Sequence, residues 1–496
     1  MKVISTVIFV TLFISIAGCS KPSAPLTAPS LKNNPYQDVI VTTTQPLMSF
    51  FNAKFGEGDR TYDIQIDIEP TFTSDKLIEY NRIPEEKVHI TSKLVEAEDA
   101  LQDNSRYYWR ARAVDAKGNK GPWDSSRFYV DTKADDSFMG MVRIPVESIE
   151  VSSGFNPKNI YDLDDPGQAT FWQSTPPGAE VQWVQFDLGK RWSISRIWML
   201  STRGGSSDGW LEDFVWQMSD DGETWRDIPG TKTTTNDTFR NILDFKSITA
   251  RHLKLKINKW RGYAAQLNTI TFYSPGMPPV PEVPDSDYVL LVGNQQNGFT
   301  FSELAEFVES LDLNLKTMTV PHYEVSMKML KHLKRKPVAI ILSGNNTDYQ
   351  NLPMFEYNGE YEIIRKSNIP ILGICCGHQQ LAMAYGYTYA RSMGWSDISA
   401  MESRLKRTEI DQIKKDPVFK GIPDPFTAVE IHGWAVAKLP EGFELIGESS
   451  YTQAIKNTSR MIYGEQFHAE IKAPYNQGTP YLVNFLKMAL EKGGTK

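Results

Sequence analysis

Apolar and polar residues alternate along the first half of the chain and gather into unbroken apolar runs in the last part. "TYDIQIDIE" (Thr61–Glu69) alternates strictly. "RYYWRARAVDA" (Arg106–Ala116) puts Tyr107, Trp109, Ala111 and Ala113 on one face and Tyr108, Arg110, Arg112 and Val114 on the other. A period of two predicts half-buried strands. The Gly/Asn/Pro cluster "DAKGNKGPW" predicts a turn before the closing strand "SSRFYVDT". "WVQFDLG" and "RIWML" alternate in the same way, and Asp221-Gly222 marks a hairpin turn with Trp225 just beyond it as a core or edge packer. From Tyr288 the pattern changes. "YVLLVG" is continuously apolar, as a buried parallel strand requires, and "LKTMTV", "VAIILSG" and "ILGICC" add further strands. Between them Phe301, Leu304, Val308 and Leu311 share a helical face behind Thr300-Phe301-Ser302-Glu303, which reads as a capping box. Strand–helix alternation predicts a doubly wound α/β domain with its chemistry at the carboxyl ends of strands.

Length sharpens this picture: 496 residues exceed one core, so several domains are expected. A net charge of −7 without a basic stripe argues against nucleic-acid binding. Lys2 and the apolar run Val7–Ile16 have signal-peptide proportions, too short to span a bilayer comfortably. The run ends in Ile16-Ala17-Gly18-Cys19, which resembles a bacterial lipobox. That resemblance implies cleavage after residue 18 and acylation of Cys19. The chain would then be held to a membrane of the bacterial cell envelope, periplasmic or at the cell surface, with its domains in water. Residues 19–35 form a Ser/Pro/Ala-rich tether, and the proline-rich stretch 276–287 is expected to be a stiff, extended linker. Only two further cysteines remain, Cys375 and Cys376, too few for a disulfide framework. Thiols kept in an oxidising compartment point to chemistry.

Two stretches of the β-rich half resemble known families. Residues 36–134, through Tyr108–Ala113 and the Lys117–Trp123 turn, resemble a fibronectin type III or immunoglobulin-like β-sandwich, which implies a spacer or a partner-binding module. Residues 139–275 resemble a discoidin (F5/8 type C) β-sandwich of jelly-roll type through "NIYDLDDPGQATFWQS", "VQWVQFDLGKRWSISRIWML", "DFVWQMSDDGETWRDI" and "ARHLKLKI". Members bind sugars with aromatic and Arg side chains on loops at one end of the sandwich. The resemblance carries that role onto Arg203, Trp210, Trp260 and Arg261 here, and plain packing of the tryptophans is the alternative. It also implies a structural calcium ion held by Asp162, Asp165 and Thr170, although Thr269 stands where the family often has a Glu ligand.

Residues 288–496 carry Gly373-Ile374-Cys375-Cys376-Gly377-His378-Gln379 at a strand-to-helix turn. A cysteine there is presented outwards beside a helix N-terminus, and both effects favour the thiolate nucleophile. This segment resembles the G-x-C-x-G-x-Q motif of class I glutamine amidotransferases, which places the nucleophile at Cys375. Cys376 then acts as a small hydrophobe whose backbone N–H contributes to the oxyanion hole. "YGEQFHAE" resembles the family's G-x-Q-F-H-P-E, which makes His468 the acid–base and Glu470 its orienting carboxylate, with Ala469 in place of proline. "LSGNNTD" corresponds to the family's oxyanion loop. Asn345 and Asn346 replace a Gly-Pro pair, and Asn tolerates a left-handed backbone. The resemblance assigns an oxyanion-hole N–H to Asn345 and glutamine contacts to Ser343, Gly344 and Gln379. "EIHGWAVAKLPEGFELIG" is similar to the family's H-x-D-x-V…LPEGF segment, with Trp434 near a usually polar position.

Two functions remain open at this level. One is a cysteine amidase whose chemistry requires no cofactor and which hydrolyses glutamine or a related small amide rather than feeding a synthetase, because the sequence has no P-loop and an exported chain lacks ATP. The other is a non-catalytic surface lipoprotein that binds glycan and keeps the amidotransferase fold as a scaffold.

Overall fold

The computed structural model describes residues 25–31, 39–41, 43–86, 90–132, 141–160, 171–175, 181–201, 209–236, 239–301, 303–347, 349–385, 389–391, 406–436 and 439–493. The signal sequence, Cys19, the calcium candidates Asp162, Asp165 and Thr170, and Arg203 lie outside the described residues.

The first unit is a β-sandwich. Strands Val39–Val41, Asp124–Val130, Ser105–Val114, Thr61–Asp67 and Ile78–Pro84 form one sheet in that order, and Leu47–Phe51 pairs with Ile90–Leu94 in the other. The strand around Trp109 faces as its alternation predicts. Trp109, Ala111 and Ala113 are fully buried with Phe50, Tyr62 and Phe128, whereas Arg110 and Arg112 lie outside, their guanidinium carbons 4.5 and 4.4 Å from the Trp123 ring centre.

The second unit is built on two very long strands, Gln182–Leu200 and Arg240–Trp260, which pair antiparallel with register breaks at Asp187/Trp192 and Ile194/Arg196. Such breaks increase twist and bend the strands. The core packs Trp216 edge-on to Phe272 at 5.5 Å and Phe186 edge-on to Phe272 at 5.0 Å, with Trp172 fully buried beside them. Trp260 is not on a loop as its sequence suggests. Pairing with Leu211, kept in register by a bulge, carries the strand out to residue 260.

The third unit is a nine-stranded mixed sheet. Its strands are β1 (Tyr288–Gly293), β2 (Lys316–Pro321), β3 (Ala339–Leu342), β4 (Ile371–Ile374), β5 (Lys406–Gln412), β6 (Phe426–Glu430), β7 (Phe443–Glu448), β8 (Thr452–Asn457) and β9 (Ile462–Glu465), in the order β2-β1-β3-β4-β9-β8-β7-β5-β6. The first five are parallel and the rest run antiparallel, an extension that the strand–helix alternation does not announce. Alternate residues of β1 feed two cores. Val289 and Leu291 pack with α1 (Leu304–Glu309) and α5 (Thr479–Gly493), whereas Leu290 and Val292 pack with α2 (Met327–His332), α3 (Asn358–Lys366) and the end of α4 (Cys376–Met383). Every residue of β1 is therefore buried, and the sheet is covered on both faces.

Three local expectations are corrected. Helix α1 has Glu303 at its N-cap without a side-chain cap, so the capping box does not form, and Phe301 packs over His468 instead, 5.2 Å between ring centres. The proline-rich linker is irregular, as prolines require, but it does not stand free as a rod. Met277, Pro278 and Val280 line a small cavity with Tyr323, Val325 and Met329, and Val283 packs on the core. Neither Asn345 nor Asn346 has a positive φ. The loop turns because the Asn345 side chain accepts from the Thr347 N–H at 2.8 Å. Among the described residues no helix is long and apolar enough to cross a membrane.

Candidate active site

Strand β4 ends at Ile374 and α4 begins at Cys376, leaving Cys375 alone in the turn with φ 50° and ψ −100°. A left-handed backbone at a residue with a side chain costs on the order of 1–3 kcal/mol and persists only where the surroundings impose it. Here they do. Cys375 N–H donates to Glu465 O at 2.7 Å, and Gly377 N–H donates to Ser343 O at 3.1 Å. The flanking glycines allow the close approach: a Cβ on Gly373 would lie 2.5 Å from the Gly377 carbonyl, and one on Gly377 would lie 2.2 Å from Leu342 O. The Cys375 thiol is buried rather than presented outwards as the sequence suggests, and lies 3.4 Å from Ile431 O. Cys376 is the first residue of α4, so its N–H has no acceptor within the helix.

His468 follows β9 and is pinned by its own N–H to Val429 O at 2.9 Å and by Asn476 Nδ2 to its carbonyl at 2.8 Å. Its Nδ1 lies 2.8 Å from Glu470 Oε1, both side chains being almost wholly buried. Because a carboxylate can only accept, Nδ1 carries the proton. Burial opposes charge on this ring, but Glu470 and then Cys375 outweigh it and hold the His468 pKa well above its usual value. Nε2 makes no hydrogen bond of good geometry. Gly344 lies against the imidazole, where a Cβ would come within 3.2 Å of Cε1. The structure thus brings Cys375, His468, Glu470 and the 343–345 loop together.

The remaining sequence candidates are engaged within the protein. Ser343 Oγ accepts from Asn294 N–H and donates to Gly344 O, both at 3.0 Å. Gln379 is held by Tyr349, whose hydroxyl donates to Oε1 at 2.7 Å, and its Nε2 donates to Gln466 Oε1 at 3.1 Å and to Trp434 O. Cys376 is more than a small hydrophobe. Its sulfur lies 3.2 Å from the Tyr349 hydroxyl and 3.6 Å from Gln380 Nε2, and burial pushes its pKa far up, so it stays a neutral thiol.

Sequence reasoning missed three residues. Tyr349 joins Cys376 to Gln379, and no motif marks it. Glu465 is fully buried beside the triad-like group, and burial and the neighbouring Glu470 raise its pKa. A charged residue at the free position of "YGEQFHAE" was the available signal. Glu360, on α3, is fully buried with neither carboxyl oxygen in a well-formed hydrogen bond. Burial, against a smaller opposing effect of the Asn294 side chain, pushes it up to about 8.

In the second unit Arg261 pairs with Glu212 at 3.2 Å, and its guanidinium carbon lies 5.2 Å from the centre of the Trp210 ring. Trp210 packs at 5.9 Å from Phe239, and Trp260 is partly buried against the sandwich core. Two further aromatics stand out in solvent at the same end, Phe155 at 68% and Tyr263 at 72% exposure. Backbone pairing connects them: Phe155 bridges Gln173, Gln173 pairs with Gln266, and Gln266 N–H donates to Gly209 O.

Comparison with known proteins gives two family matches: residues 145–270 to the F5/8 type C domain and residues 301–489 to Glutamine amidotransferase class-I. A GMP synthase (glutamine-hydrolyzing) subunit of Methanocaldococcus jannaschii is 39% identical over 129 residues, 26% of this chain and 64% of that protein. GMP synthase (glutamine-hydrolyzing) of Thermosipho melanesiensis is 37% identical over 155 residues, 30% of this chain and 27% of its own length. The chain thus spans less than two thirds of these two relatives. It spans 78% of the GMP synthase (glutamine-hydrolyzing) subunit of Pyrococcus furiosus, to which it is 35% identical over 162 residues, 32% of this chain. That degree of identity along most of a relative, on a strand–cysteine–helix turn facing a His–Glu pair, shows that the chain belongs to the class I glutamine amidotransferase family and carries a discoidin-type domain ahead of the amidotransferase domain.

Proposed function

We propose that this chain is an exported, lipid-anchored cysteine amidase that hydrolyses glutamine or a related small amide and is brought to its place of action by glycan binding. The observation that carries the amidase reading is the His468 imidazole, bonded to Glu470 at 2.8 Å and electrostatically coupled to the Cys375 thiol in its left-handed turn. In this reading the Cys375 thiol passes its proton to His468, the sulfur attacks the amide carbon, and the carbonyl oxygen becomes an oxyanion. The first N–H of α4 and the 343–345 loop face that charge. His468 gives its proton to the departing nitrogen, ammonia leaves, and a thioester remains. Water, deprotonated by His468, then attacks the thioester and releases the acid and the thiol. No step draws on a cofactor. The protein with the segment up to Cys19 removed is expected to release ammonia from glutamine or an amidated cell-wall peptide, or the corresponding amine from a γ-glutamyl peptide, for at least one member of such a panel. Release from none of them overturns the amidase reading.

The targeting half of the proposal is supported by the F5/8 type C match and by the aromatic and Arg groups at one end of that sandwich. An exposed aromatic face stacks on a sugar ring and an Arg fork bonds its hydroxyls. Tyr263→Ala is expected to weaken retention on the preferred polysaccharide by about tenfold, equivalent to ~1.4 kcal/mol. Affinity electrophoresis on a set of polysaccharides measures it, and unchanged mobility on a retaining polysaccharide excludes Tyr263 from that surface. We read Cys19 as the lipidated anchor and residues 36–134 as a fibronectin type III-like spacer between anchor and working domains, on the lipobox-like sequence and the two-sheet topology.

A further inference from the structure

The discoidin-type and amidotransferase domains meet through a buried ionic contact. Arg143 and Tyr273 stand opposite each other on neighbouring strands of the discoidin-type sheet. Arg143 Nε donates to Glu356 Oε1 at 2.5 Å, its second terminal nitrogen donates to Glu356 Oε2, and Nη1 donates to Gln296 O at 2.8 Å. Tyr273 donates its hydroxyl proton to Glu356 Oε1 at 2.6 Å. The Glu356 side chain has no exposed surface and that of Arg143 only 8%. Trp198, Leu200 and Phe239 of one domain and Phe355 of the other close an apolar cluster around the contact.

From Glu356 a continuous set of contacts reaches the candidate oxyanion loop. Glu356 Oε2 lies 3.4 Å from His322 Nε2, and His322 Nδ1 donates to Gly293 O at 3.0 Å, at the end of β1. The His322 ring stacks on Tyr357 at 4.2 Å and 13°. The Tyr357 hydroxyl donates to Asn294 O at 3.0 Å and accepts from Asn345 Nδ2 at 3.3 Å. Asn294 in turn donates from its backbone N–H to Ser343 Oγ and from Nδ2 to Ser343 O, both at 3.0 Å. Both ends of the Ser343–Asn345 segment are therefore tied to groups that Glu356 supports. Glu356 itself is oriented by the other domain.

We infer that Arg143, with Tyr273, is a positioning residue for the amidase site: the discoidin-type domain fixes the 343–345 loop through Glu356, His322 and Tyr357. The inference rests on the amidase reading for its catalytic consequence, but the loop's order can be measured without it. A carboxylate held on both oxygens by one guanidinium has a single orientation, and a stacked ring pair transmits that orientation as a shape. Removing the pair together, rather than one partner, avoids leaving a lone buried charge.

The test uses the full-length chain, with Arg143→Met/Glu356→Met as one variant and Tyr357→Phe as the other. Amide hydrogen exchange across residues 343–347 is expected to quicken at least about tenfold in the double variant, while β4 and α5 keep wild-type protection. Ammonia release is expected to fall about tenfold or more in kcat with a smaller rise in KM, because the segment carries the oxyanion-hole N–H assigned to Asn345 as well as the glutamine contacts assigned to Ser343 and Gly344. Tyr357→Phe, which removes one hydroxyl, is expected to show both effects in the same direction. Wild-type exchange at 343–347 in both variants overturns the inference, as does wild-type kcat in both. A wild-type chain that releases no ammonia fails the amidase reading alone, and the exchange result still decides the coupling.

Discussion

Cys375→Ala is expected to lower ammonia release by at least about a thousandfold, leaving only what binding and the oxyanion donors provide. His468→Asn is expected to fall comparably, because the same ring serves the attack, the departing nitrogen and the hydrolytic water. Glu470→Gln retains the hydrogen-bond geometry in one tautomer and is expected to lose less. It also carries a pH signature. Burial opposes charge on His468, and Glu470 is the largest influence raising its pKa. Removing that carboxylate moves the His468 pKa down, so the alkaline limb of the kcat profile, where the proton donor to the leaving nitrogen is lost, shifts to lower pH. Steady-state rates across pH on a substrate that the wild type turns over measure both effects. Equal rates for Cys375→Ala and wild type exclude the thioester route.

The second large effect concerns stability. Glu360 has its carboxyl pushed up to about 8 by burial, from an ordinary value of 4.5. A carboxyl whose folded-state pKa lies above its unfolded one binds its proton more tightly in the folded chain. Its contribution is complete below pH 4.5 and is lost as the pH rises towards about 8. At about 1.4 kcal/mol per pH unit, the wild type should lose roughly 2–4 kcal/mol from this group between pH 5 and pH 8. Glu360→Gln has the same shape and no proton to give up. Relative to wild type it should be distinctly more stable at pH 8 than at pH 5, as urea midpoints at the two values would show. An unchanged difference across that range would mean that the carboxyl is hydrated and ionised in the fold.

The chain's local chemistry is legible where one physical rule decides it. The alternation around Trp109 puts the right four residues inward, and the unbroken run of β1 marks a strand covered on both faces. Cys375 stands out because two glycines flank it at a strand-to-helix turn, and the structure shows what each glycine avoids. All but one of the failures share a cause, partners distant in the sequence; the exception is the Asn345 turn, closed locally by Thr347. The Thr300–Glu303 segment has the composition of a cap, yet Phe301 is drawn over His468. Trp260 follows a loop-like composition, yet pairing with Leu211 keeps it in a strand. Asn345 has the character of a left-handed residue, whereas its side chain closes the turn by a hydrogen bond to Thr347. Glu356 and Arg143 look like ordinary surface charges in the sequence, and only the docking of two domains makes them a buried pair.

The two adjacent thiols differ in a way that a chemist can count. Both are buried, but Cys376 is neutral and occupied by Tyr349 and Gln380, whereas Cys375 sits at the bend beside an imidazolium. Electrophiles should therefore find one reactive sulfur in this pair, and a mild alkylating reagent at neutral pH becomes a stoichiometric titrant of working molecules. The number of adducts on the peptide spanning both residues would report the active fraction of any preparation, with unity as its ceiling.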